Sequence, residues 1–126
     1  MKCLLVTTHG QFCIGIVDSL DMIVGKSNHL YTLPLTDSAD NFAVSLGELI
    51  SDLLDKYDEI LILCDLKGGT PYNESMRQYL TYPEKIKLVS GVNLPMLIEL
   101  TLQLQSISLS DLDALAIESG KNAISN

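Results

Sequence analysis

Apolar and polar positions along this chain alternate between a strand-like and a helix-like rhythm. Cys3–Thr7 is a short apolar and β-branched run with the character of a buried strand. From Gln11 to Val24 the apolar positions Phe12, Ile16, Val17, Leu20, Ile23 and Val24 fall at helical spacing, and Gly25 stands where helices commonly stop. "HLYTLPL" predicts a second strand, His29 to Leu33, stopped by Pro34. After the polar turn "TDSAD", the residues Phe42, Leu46, Leu49, Ile50, Leu53, Leu54 and Tyr57 mark a second amphipathic helix. "EILILCD" is a continuous apolar run, as in a strand covered on both faces. The loop "LKGGTP" then leads into a short helix, "YNESMRQYL". Thr70 is its expected cap, with Pro71 at the first helical position, where a missing N–H costs nothing. "KIKLVSG" predicts a fourth strand and "VNLPMLIELTLQL" a helix capped by Asn93. "SDLDALAIESG" reads as a last helix with Ser110 as cap, Asp113 as its acidic box partner and Gly120 as stop.

The resulting order is βαβαβαβαα. Strands alternating with helices imply an α/β three-layer sandwich, a mainly parallel sheet with helices on both faces. With right-handed crossovers, the economical four-stranded order is 2-1-3-4, which makes strands 1 and 3 neighbours at the switch point. A chain of 126 residues suits one domain, 1–126, and no repeat or linker divides it. The tail "GKNAISN" is open between fraying and a short added strand.

Composition narrows the function. Hydrophobic residues make up 47% and charged residues 19%, a globular balance. The net charge of −8 argues against nucleic acid as a partner, because such binding is driven by basic patches. No apolar run approaches the ~20 residues of a membrane span. The start "MKCLLVTT" is too short for a secretory apolar region, so a cytoplasmic location is expected. Cys3, Cys13 and Cys64 are widely spaced and in apolar surroundings, which suits small buried hydrophobes with reduced thiols.

In a 2-1-3-4 sheet three loops share the carboxyl edge. They carry His9 and Gly10; Asp65, Gly68, Gly69 and Thr70; and Gly91, Val92 and Asn93. Such an edge suits a phosphoryl group. A neutral imidazole at His9 offers one lone pair when its other nitrogen donates to Asp65, which also stabilises charge growing on the ring. Gly68 and Gly69 let backbone approach phosphoryl oxygens, Thr70 brings a hydroxyl, and helix N-terminal amides attract anions. Catalytic roles thus fall to His9 and Asp65, and phosphoryl binding to Thr70, Gly69, Gly68 and Asn93. One His and one Asp do not make a metal site of three ligands. His29 lies at the opposite edge and is expected to be structural.

The blocks "VTTHGQF", "LCDLKGGTPYNES" and "VSGVNLPMLIE" resemble, in order and spacing, the IIA component of the mannose-type (mannose/fructose/sorbose) sugar phosphotransferase system. The resemblance covers nearly the whole chain and implies the same sandwich with sheet order 2-1-3-4. It implies that His9 accepts a phosphoryl group from the phosphocarrier protein HPr, on Nε2, and passes it to a histidine of a IIB subunit. Sugar is then phosphorylated during uptake through membrane IIC and IID components. It implies that Asp65 orients the imidazole and that Thr70 contacts the phosphoryl group. Gly68, Gly69 and Asn93 match the motifs as loop formers. No cofactor is implied. The chain departs from the pattern at Lys67, where a bulky apolar or aromatic residue is common; a cation there either helps to hold phosphate or alters partner docking. It also shows no fused IIB domain. The resemblance implies a homodimer, and the tail past Gly120 is short for a strand-exchanged form.

Two other readings compete. One is the phosphocarrier subunit of dihydroxyacetone kinase, which shares the fold and the N-terminal histidine, although "GGTPYN" fits the sugar-uptake branch better. The other is a non-catalytic module that binds an anion at the crevice. A signalling receiver is disfavoured, because "VTTHGQF" lacks the acidic pair such a domain needs after its first strand.

Overall fold

The computed structural model describes residues 1–126. Its elements are β1 (Lys2–His9), α1 (Phe12–Val24), β2 (Leu30–Leu35), α2 (Ala39–Lys56), β3 (Glu59–Cys64), α3 (Thr70–Thr81), β4 (Ile86–Ser90), α4 (Leu94–Gln103) and α5 (Leu109–Asn122). The four strands form one sheet of order β2-β1-β3-β4, with every neighbouring pair parallel. The sandwich and the strand order are therefore those the sequence predicts. No helix is long and apolar enough to cross a membrane.

Strand alternation divides the interior into two cores. Leu4 and Val6 of β1 and Leu61 and Leu63 of β3 face α1, α4 and α5, meeting Leu20, Leu97, Leu100 and Leu112. Cys3 and Leu5, with Ile60, Ile62 and Cys64, face the other way onto Phe42, Leu46, Ile50 and Leu53 of α2. Tyr72 and Tyr79 of α3 pack against this second core. Both faces of β1 and β3 are thus buried, which explains their uninterrupted apolar runs. Truncating one of these fully buried leucines to alanine costs ~2–5 kcal/mol.

The structure corrects four local expectations. Pro34 does not stop β2, which runs through it to Leu35. Leu4 N–H donates to His29 O and Gly10 N–H to Leu35 O, so odd-numbered residues bond toward β1. Pro34 then faces the open edge of the sheet, where a missing N–H removes nothing from the ladder. Second, Thr70 does not cap α3. Gly69 O already accepts Asn73 N–H, so the helix starts one residue earlier, Gly69 is the cap and Thr70 is the first helical residue. Third, α5 is capped by Ser108, whose Oγ accepts Asp111 N–H at 3.1 Å, and not by Ser110 with Asp113. The earlier start lets Leu109 join Leu112 and Ala116 on the buried face. Fourth, Gly120 does not end α5; it is buried inside the helix, where a Cβ would lie 2.8 Å from Met96 Cε. Glycine there permits close packing of α5 on α4. The tail after Asn122 adds no strand.

Candidate functional site

The junction "VTTHG" is built so that each polar residue has one task. His9 is the last residue of β1, and Gly10 turns the chain away with φ +53° while donating its N–H to Leu35 O. Thr7 and Thr8 are both fully buried. Thr7 Oγ1 donates to Leu33 O at 2.7 Å, which fastens β1 to β2. Thr8 Oγ1 accepts Cys13 N–H at 2.8 Å and so caps α1 from within the strand. That role was not anticipated, since Thr8 stands outside the usual cap position. These bonds fix the end of β1, and with it the root of the His9 side chain, which is about half exposed.

Asp65 follows β3 directly, and β3 is the neighbour of β1, so the carboxylate arrives beside His9. His9 Nδ1 lies 2.9 Å from Asp65 Oδ2, and the same oxygen accepts the His9 backbone N–H at 3.1 Å. Asp65 Oδ1 accepts Leu66 N–H at 3.0 Å. Burial pulls the Asp65 carboxyl upward, but the hydrogen bonds from the His9 ring and backbone and the attraction of a charged ring outweigh it. The carboxyl is held below its ordinary range. An ionised carboxylate only accepts, so the proton sits on Nδ1 and the lone pair on Nε2.

Nε2 faces the loop between Asp65 and α3. Gly69 N–H closes a turn on Leu66 O at 3.2 Å, with Gly68 at φ +87° in its third position, as in a type II turn. Asn73 Nδ2 donates to Gly68 O at 3.0 Å and pins the turn to α3. Sequence reading gave Asn73 no role, although its place in "GGTPYN", one turn into the helix, was the available signal. A Cβ on Gly69 would lie 2.6 Å from His9 Cε1 and 3.2 Å from Nε2, so only glycine leaves the ring its place. No side chain caps α3, and Pro71 has no N–H. The amides of Thr70 and Tyr72 in the first turn therefore have no intrahelical partner, and the Thr70 hydroxyl makes no hydrogen bond. His9, Asp65, Gly68, Gly69 and Thr70 thus come together as expected.

Asn93 shares the edge but is already engaged. Its Oδ1 accepts Met96 N–H at 3.0 Å, capping α4, and its Nδ2 donates to Gly120 O at 3.0 Å, tying α4 to α5. Both polar atoms of the side chain are in use, so it shapes the loop. No group of three or more His, Cys, Asp or Glu side chains is placed to hold a metal ion.

The remaining candidates lie apart. His29 sits at the opposite edge, with Nδ1 3.0 Å from Tyr57 Oη, and the Tyr57 hydroxyl is 2.8 Å from that of Tyr31. Burial, followed by the Tyr31 hydrogen bond, pushes Tyr57 up to about 12. This cluster joins the start of β2 to the end of α2. All three cysteines are buried and unpaired, and burial pushes Cys3 and Cys64 up to about 12, so neither is a thiolate nucleophile near neutrality.

Known proteins resemble this chain in sequence and in fold. Residues 3–116 match the family model EIIA-man, described as PTS system fructose IIA component. The chain is 29% identical over 114 residues to the PTS system fructose-specific EIIA component of Bacillus subtilis, covering 89% of this chain and 77% of that one. It is 32% identical over 106 residues to the sorbose-specific EIIA component of Klebsiella pneumoniae, covering 82% and 76%. Among solved structures it is similar to phosphotransferase system component EIIA from Streptococcus agalactiae. That match has a TM-score of 0.89 at 33% identity and covers 100% of this chain and 97% of the other.

Proposed function

Because the chain belongs to the EIIA-man family of phosphotransferase-system IIA components, we propose that His9 is its phosphoryl carrier, loaded by HPr and discharged to a IIB subunit. The observation that carries this reading is the 2.9 Å contact of His9 Nδ1 with Asp65, which leaves Nε2 open beside Gly69.

The Nε2 lone pair attacks the phosphorus of the phosphohistidine on HPr. A new N–P bond forms on His9 while the donor's N–P bond breaks, and its electron pair returns to the donor imidazole. No proton has to move. The phosphorylated His9 ring, substituted on both nitrogens, carries positive charge, and Asp65 stabilises it. The Thr70 hydroxyl and the amides of Thr70 and Tyr72 donate to phosphoryl oxygens at the start of α3. Gly68 holds the turn and Gly69 leaves the space. Discharge is the same displacement in reverse, with a IIB histidine as nucleophile, and sugar phosphorylation follows at the IIC and IID components. Positioning and electrostatics are most of what such a transfer requires of a protein. Asn93 supports the site through the α4 cap. Exposed Phe12, three residues after His9, and exposed Leu66, next to Asp65, offer apolar contacts to an arriving carrier. Residues 1–126 act as one IIA domain, which pairs with a second copy as a homodimer.

The test is intact mass at alkaline pH after incubation with phosphoenolpyruvate, enzyme I and HPr, comparing wild type with His9→Ala. Gain of one acid-labile phosphoryl group by wild type alone is expected. No gain while HPr is charged would overturn the carrier reading and favour an anion-binding module.

A further inference from the structure

One charge at the site has no part in the chemistry above. Lys67 occupies the second position of the turn Leu66–Gly69, is exposed, and makes no ion pair or hydrogen bond. Of the eight lysines and arginines, it alone lies in a loop that follows the carboxyl end of a strand. Arg77, in α3, is paired with Glu74 at 3.3 Å. The loops of this edge otherwise carry only negative charge, with Asp65 held ionised and Asp37 after β2, while Lys121 of α5 lies apart beside Gly91 and Asn93, and the whole chain carries −8. A phosphoryl group adds about two further negative charges there.

We propose that Lys67 is a phosphoryl-binding residue, whose Nζ acts as counter-charge to the group carried on His9; this rests on the phosphohistidine reading above. The turn sets the reach. Lys67 Cα is within ~7.6 Å of Gly69 Cα, two peptide units away, and the flexible four-carbon stem spans most of that distance. A Cβ on Gly69 would be 3.2 Å from Nε2, so the phosphoryl group lies over the turn that bears Lys67. The Asn73 bond to Gly68 O fixes the base of that turn, and the side chain above it is free to swing. In the unloaded protein the ammonium stays hydrated at no cost. In the loaded protein it meets a dianion. Lys67 therefore favours the loaded state selectively, and the equilibrium of the group between HPr and this protein shifts toward this protein.

The experiment measures that equilibrium with purified phospho-HPr, together with the transfer rate and the thermal midpoint, for wild type, K67Q, K67E and K67R. K67Q shifts the equilibrium toward HPr about threefold and K67E about tenfold, while K67R restores it, as expected for an exposed charge pair. The K67Q deficit shrinks as salt rises from about 0.05 to 0.5 M, because screening weakens the pair. The thermal midpoints stay together. An equilibrium unchanged in K67Q and K67E overturns the proposal, and so does a deficit indifferent to salt or one confined to the transfer rate, which marks partner docking. Failure of wild type itself to take the group from charged HPr is a different result, and it removes the phosphohistidine reading as a whole.

Discussion

A single oxygen, Asp65 Oδ2, accepts from both the Nδ1 and the backbone N–H of His9, at 2.9 and 3.1 Å. The side chain of the last residue of β1 and its own main chain are thereby tied to the residue that follows β3. The contact exists because β1 and β3 are paired in parallel, with Thr7 opposite Cys64, so both strands deliver their next residues to the same edge. The carboxylate sets three properties together: the tautomer, the ring orientation and the charge balance.

Removing the charge while keeping the shape separates these. Asp65→Asn places an amide opposite Nδ1 that can donate as well as accept, so the ring is no longer held with its proton on Nδ1. Transfer from phospho-HPr is expected to fall about 100-fold, the scale seen when a partner that orients a histidine is lost. Rapid-quench measurement of phosphoryl gain checks this. A rate within about threefold of wild type would mean that Asp65 is only a turn residue.

Gly69 offers a sharper separation of site from fold. Its φ is −76°, which any residue adopts, so alanine there strains no backbone. The added Cβ meets the far end of the His9 side chain at 2.6 Å, a ring that can swing toward solvent. Gly69→Ala should therefore change the thermal midpoint by less than ~2 °C, within the range of a neutral surface substitution. It should nevertheless slow phosphoryl gain at least tenfold, because the displaced ring loses its alignment with the donors of α3. Calorimetry and the transfer assay on the same sample decide, and a large stability loss with normal transfer would contradict the placement of the ring.

Asn93 was expected to bind the phosphoryl group, and its bonds to Met96 N–H and Gly120 O point instead to a structural role. Asn93→Ala loses the cap of α4, worth ~1 kcal/mol, and leaves the Gly120 carbonyl without its donor. The thermal midpoint should drop by about 3–8 °C, while transfer at a temperature well below it stays within about threefold. Transfer lost without a change in stability would return Asn93 to the phosphoryl group.

The sheet was legible because β1 and β3 are buried on both faces and so carry unbroken apolar runs, which the intervening helical spacing could only join as parallel strands. His9 and Asp65 were legible for the same reason: topology alone brings the ends of β1 and β3 together. What the sequence hid was decided by tertiary contacts. Ser108 and Ser110 are equivalent as caps until the burial of Leu109 selects the first. Gly120 looks like a stop until the side chain of Met96 occupies the space beside it. Pro34 breaks a strand unless its missing N–H faces an open edge. Thr8 and Asn73, which hold the site in place, act on backbone atoms five residues away; no usual cap motif marks Thr8, and only the place of Asn73 in "GGTPYN" marks the other.

The link between His9 and Asp65 also predicts how stability depends on pH. The Asp65 carboxyl is held below its ordinary range in the folded protein, so near that range the unfolded chain binds more protons than the folded one. The stabilisation is present in full above the unfolded value of ~3.9 and is lost as pH falls through that value toward the lower folded one. Asp65→Asn has no such group. Wild type should unfold at a higher temperature than Asp65→Asn from neutrality down to about pH 5, and the gap should close as pH falls below about 4. Calorimetric scans of the two proteins between pH 3 and 7 check this. Subtracting one from the other removes the titrating groups that do not touch Asp65, among them Asp58, whose carboxyl is lowered by its hydrogen bond with the N-terminus. A gap that persists undiminished at pH 3 would mean that the charge on Asp65 contributes nothing to the fold, and that its bonds to His9 act by geometry alone.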